Sequence, residues 1–69
     1  MERKRVNSSK LRSVGYDEKT RTLEIEMSNG QVFQYPGVYS VVYRRFMAAP
    51  NPTSFFDEKI AEEYTPKKV

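Results

Sequence analysis

No cysteine and no histidine occur among the 69 residues. Without cysteine there is neither a disulfide framework nor a thiolate zinc site to staple the core. The chain also shows no sign of an oxidising compartment. Without histidine the usual acid–base group near neutral pH is missing. Ser8-Ser9-Lys10 sets a hydroxyl beside an amine, but neighbours on an extended segment point apart, so no Ser–Lys dyad is expected. Three scattered glycines make no phosphate-cradling loop. Glu58 and Glu62, four residues apart, read as a solvated helix face rather than a cation site. No run of about 18 apolar residues exists, which excludes a membrane-spanning helix. Met1-Glu2-Arg3-Lys4-Arg5 leads into Asn and Ser rather than an apolar stretch, unlike a secretory signal. The expectation is a cytoplasmic, non-catalytic protein with no cofactor, no metal and no membrane contact.

The core must then come from apolar side chains alone. A chain this short makes one domain, and such domains bury only about 60% of the surface their unfolded chains expose. Five Tyr and four Phe compensate, since each aromatic buries roughly 150–250 Å². The formal net charge of +3 is mild, but it is unevenly spread. Arg3, Lys4, Arg5, Lys10 and Arg12 face only Glu2 in the first twelve residues, and Lys67 and Lys68 close the chain. Residues 1–9 read as a basic, irregular arm and 65–69 as a short basic tail.

Between these ends the periodicity is that of strands, then helices. Leu11, Val14 and Tyr16 suggest an edge strand near 10–16, with Gly15 marking a bulge or a close backbone approach. Asp17-Glu18-Lys19-Thr20 is a polar turn. Thr22-Leu23-Glu24-Ile25-Glu26-Met27 alternates as a half-buried strand does. Asn29-Gly30 then signals a hairpin. Val32-Phe33-Gln34-Tyr35 returns, and Pro36-Gly37 ends it.

Burial selects the register of that hairpin. A two-residue turn would place Phe33 and Tyr35 on the face of Glu24 and Glu26. A three-residue loop, Ser28-Asn29-Gly30 with Gly30 as a bulge, sets Phe33 opposite Ile25 and Tyr35 opposite Leu23. A slip of one residue moves every side chain to the other face. Burying two aromatics is worth about 1.5–3 kcal/mol each, so the bulged loop is expected.

After Gly37 the spacing becomes helical. Val38, Val42, Phe46 and Ala49 form one stripe, and Tyr39, Tyr43 and Met47 an adjacent one. Ser40, Arg44 and Arg45 are left to solvent. Pro50-Asn51-Pro52 stops this helix. Thr53 or Ser54 then caps a second, with Asp57 and Glu58 in its first turn and Phe56, Ile60 and Tyr64 on its buried stripe. The expected fold is α+β: a three-stranded antiparallel sheet followed by two helices packed on one face (β-β-β-α-α).

Asn7-Ser8-Ser9, Val14-Gly15-Tyr16-Asp17, Leu23-x-Ile25-x-Met27, the Asn29-Gly30 turn and the Phe33/Tyr35 pair together resemble the KTSC domain. Ala48-Ala49-Pro50, Phe55-Phe56 and Ile60 extend the resemblance, which runs from about Val6 to Tyr64. That family takes its name from the C-terminal domain of some lysyl-tRNA synthetases. It also occurs as free-standing small bacterial or phage proteins. Two departures stand out: Phe33 replaces the first tyrosine of a Tyr-x-Tyr pair, and Pro50-Asn51-Pro52 replaces a glycine-bearing corner. The association with tRNA synthetases implies nucleic-acid binding.

Phe33 and Tyr35 would stack bases on an open sheet, but the expected register turns them to the core and leaves Glu24 and Glu26 outside. The candidate nucleic-acid contacts are therefore Arg3, Lys4, Arg5, Lys10, Arg12, Arg44, Arg45, Lys67 and Lys68, contacts of a type that carries affinity without base choice. RNA or another single-stranded nucleic acid is the expected partner. The alternative is a protein partner docking on the edge of the 10–16 strand or on the first helix.

Overall fold

The computed structural model describes residues 3–6 and 8–69. Met1, Glu2 and Asn7, which belong to the expected arm and to the Asn-Ser-Ser motif, lie outside the described residues. The chain forms β1 (Arg3–Arg5), β2 (Leu11–Asp17), β3 (Thr22–Met27) and β4 (Val32–Tyr35), then α1 (Ser40–Ala48), α2 (Pro52–Phe55) continued by a π-helical segment (Phe56–Ile60), and β5 (Lys67–Lys68). The sheet is antiparallel and five-stranded in the order β1-β2-β3-β4-β5.

A three-stranded sheet is thus overturned: the basic arm and the basic tail are themselves strands. β1 pairs Arg3 with Gly15, Lys4 with Val14 and Arg5 with Ser13. β5 pairs Lys67 with Gln34 and Lys68 with Phe33. Neither segment has an apolar alternation. Both are strands because the ladder offered by β2 or β4 satisfies their backbone. The strand expected at the edge is consequently β2, an interior strand covered by β1.

The β3–β4 hairpin has the three-residue loop. Ile25 faces Phe33 and Leu23 faces Tyr35, Gly30 takes φ 91°, and Met27 N donates to Gln31 O at 2.8 Å. The bulge in β2 lies at Arg12, not at Gly15: Leu11 pairs with Met27 and Ser13 with Glu26, leaving Arg12 as the extra residue.

One face of the sheet carries the core. Leu11, Val14, Leu23, Ile25 and Tyr35 are buried with Val38, Phe46, Phe56 and Ile60. Phe33, Val42, Tyr43, Met47 and Tyr64 are half-buried around them. Tyr39, expected in an apolar stripe, is instead exposed at the start of α1, with the Arg21 guanidinium 5.0 Å from its ring centre. The second helix starts earlier than expected. Asn51 is its cap and accepts from Ser54 N at 3.2 Å. Pro52 follows in the first turn, where its missing N–H costs nothing.

Candidate functional site

The opposite face of the sheet is open, and the register determines what it shows. Directly paired residues share a face, so Arg3, Gly15, Glu24, Gln34 and Lys67 form one row across all five strands. Arg5, Ser13, Glu26 and Val32 form the next row.

Glu24 and Glu26 lie centrally and are not isolated. Glu24 accepts from Gln34 Nε2 at 2.9 Å and lies 3.6 Å from Arg3 Nε. Gly15 stands between Arg3 and Glu24 in the row, so no side chain blocks the guanidinium from reaching across β2. Glu26 accepts from Ser13 Oγ at 2.9 Å and from Arg12 Nη1 at 3.5 Å. Arg12 also donates from Nη2 to Ser28 O at 2.9 Å. The bulge is what aims Arg12 at this face.

Glu24 and Glu26, which the expected register leaves outside, therefore lie among cations on this face. Four cations (Arg3, Arg5, Arg12 and Lys67) share the face with three carboxylates (Glu24, Glu26 and Asp17, which pairs with Thr22), so the face is cationic by one charge.

The nine candidate contacts separate into groups. Arg3, Arg5, Arg12 and Lys67 share the open face. Lys4 and Lys68 pair with Val14 and Phe33 and lie on the helical side of the edge strands. Lys10 binds Asp57 at 2.7 Å and stands 5.6 Å from the Phe56 ring centre, tying β2 to the π-helical segment. Arg44 and Arg45 are exposed on α1, on the other layer of the molecule. β1 and β5, which both carry candidate contacts, occupy opposite sheet edges. Four strand spacings separate them, about 19 Å.

Further polar side chains complete the surface, of which Ser13 and Gln34 were not singled out from the sequence. Ser13 and Gln34 hold the carboxylates. Ser8 Oγ accepts from Lys10 N at 3.3 Å and from Leu11 N at 3.4 Å, and hydrogen-bonds Thr53 Oγ1. An open cleft of about 450 Å³ is lined by Arg5, Arg12, Ser8, Ser28, Val6 and Leu11. A second, of about 330 Å³, runs from Ser8 and Ser9 to Asn51, Thr53 and Ser54.

A single helical layer on one face of an antiparallel sheet, with a polar opposite face, defines a small α+β domain. The KTSC domain model matches residues 7–64, and the chain belongs to that family. It is 34% identical over 58 residues to an uncharacterised protein of Stutzerimonas stutzeri, covering 84% of this chain and 82% of that protein. The crystal structure of a KTSC domain protein from Yersinia pestis superposes with a TM-score of 0.92 at 36% identity, covering 99% of this chain and 96% of that one.

Proposed function

We propose that this domain binds RNA or another single-stranded nucleic acid through its open sheet face, as a non-catalytic cytoplasmic module. The observation that carries the reading is the ordered frame of Arg3, Arg5, Arg12 and Lys67, set by strand pairing on one face. Pairing removes much of the ordering cost that a loose arm would meet on binding. Arginine suits phosphate because its planar fork donates two parallel hydrogen bonds. No aromatic side chain belongs to the two cross-strand rows, so base stacking has no platform there and sequence preference is expected to be weak.

Fluorescence anisotropy with a short labelled RNA tests this between about 20 and about 300 mM salt. Roughly three contacted phosphates give a slope of log K against log salt near −2. Arg3→Ala with Arg5→Ala should weaken binding for all sequences alike and flatten the slope. Arg44→Ala with Arg45→Ala, on the other layer, should leave it unchanged. Glu24→Gln should tighten binding roughly twofold to fivefold, as a competing surface carboxylate is removed. Absence of binding at the low-salt end rejects the reading. It would favour a protein partner on α1, where Tyr39 and Val41 are 58% and 50% exposed.

A further inference from the structure

The two clefts meet at Ser8, which lines both. They differ in chemistry. One end holds two guanidiniums, Arg5 and Arg12, with a wall of Val6 and Leu11. Among the described residues, the other holds uncharged donors and acceptors, Ser9, Asn51, Thr53 and Ser54, with Pro50 and Pro52 on either side of Asn51. No carboxylate among the described residues lines either part.

The fold holds this groove in place from both sides. Ser8 is fixed by the N–H groups of Lys10 and Leu11, and its hydroxyl bonds Thr53. Asn51 uses its side-chain oxygen to cap α2, which leaves its amide N–H groups for another acceptor. Arg12 is held by Ser28 O and Glu26, and two contacts leave further donors of a five-donor guanidinium unspent.

We infer that the joined clefts form one site for the 5′-phosphate ester of a ribose with its 2′-hydroxyl free, of the kind found at the 5′ end of an RNA strand or in a free ribonucleotide. The phosphate sits between Arg5 and Arg12, where charge-assisted hydrogen bonds are strongest. The sugar lies toward Ser9, Asn51 and Thr53, whose hydroxyls and amide match donors and acceptors of the ribose. No aromatic ring lines the groove, so the base projects without being stacked and its identity does not matter. As a strand-end site it rests on the nucleic-acid reading above and adds to it a preference for phosphorylated ends.

The test is a titration of the full chain followed by backbone amide NMR. Five probes are used: a short 5′-phosphorylated RNA, the same RNA without the phosphate, its phosphorylated DNA counterpart, adenosine monophosphate and inorganic phosphate. The phosphorylated RNA should move the amides of residues 5–12 and 51–54. Removing its phosphate should weaken binding about tenfold, the scale of hydrogen bonds to a charged group. The DNA should bind less tightly than the RNA, since it lacks the 2′-hydroxyl. Arg5→Gln should erase the advantage of the phosphorylated end, and Ser9→Ala should reduce the gap between RNA and DNA. Neither changes a buried residue, and the amide spectrum itself reports folding. Equal affinity for both RNA ends, or shifts confined to the Arg3–Lys67 row, overturns the groove and leaves the sheet-face reading standing. Adenosine monophosphate in the groove with no oligonucleotide bound upholds the site and rejects the nucleic-acid reading. Silence at the groove with every probe rejects it outright.

Discussion

Arg21 is the one non-glycine residue at positive φ among those described, at 55°. Its carbonyl accepts Val38 N at 2.8 Å, which fixes the entry to α1. Tyr16 reinforces the same point: its hydroxyl donates to Val38 O at 2.6 Å, and its ring stacks on Tyr43 at 4.9 Å. A β-branched residue is poorly tolerated in the left-handed region, whereas glycine is at home there. Arg21→Val is expected to cost about 1–3 kcal/mol, and Arg21→Gly clearly less, by chemical denaturation. The same cluster sets an alkaline limit. Burial pushes the Tyr16 phenol above its usual value, with Glu18 adding to it, and burial alone does the same for Tyr35. The folded state thus holds these protons more tightly than the unfolded chain. Stability should be level below pH 10.0, the ordinary phenol value, and should fall as pH rises through the raised folded values. Ultraviolet titration of the tyrosinates alongside thermal melts checks both the sign and the window. Tyr16→Phe should remove part of that alkaline slope and cost about 1 kcal/mol at neutral pH.

Among the elements, β2, β3, β4 and α1 were legible because each buries one face and so must alternate or recur. The β3–β4 register was legible for the same reason: only one loop length put Phe33 and Tyr35 on the side of Ile25 and Leu23. β1 and β5 were not, since Arg-Lys-Arg and Lys-Lys carry no apolar period and are strands only through their neighbours. Missing β1 hid the candidate site, because the pairing of Arg3 with Glu24 across Gly15 exists only once that strand is in place. The π-helical stretch was also unreadable. Phe56 and Ile60 are buried at its two ends, and their spacing of four suits an α-helix equally well. Phe46 anchors α1 on the sheet and stacks on Phe55 at 5.6 Å. Phe46→Ala should cost about 3–5 kcal/mol, most of the stability of a domain this size, and show as loss of the cooperative melt.

On the scale of the whole molecule, the chain begins and ends its described course on opposite edges of one sheet. Both edges are short and basic, a composition that discourages pairing with another copy because like charges would lie opposite each other. The all-basic β1 also covers β2, a seven-residue strand whose next edge would show Leu11, Val14 and Gly15. Every residue of β1 is an exposed arginine or lysine, and so each is a cleavage point for trypsin. A brief digestion that removed the first five residues would strip the guard from a longer and far less charged edge. The clipped protein should then form aggregates that bind an amyloid dye, while protein digested at an acidic-residue site in the 57–63 segment instead should lose its melt without that signature. A segment that looks like a solubilising arm would in that case be a shield, protecting one strand from the next molecule's backbone.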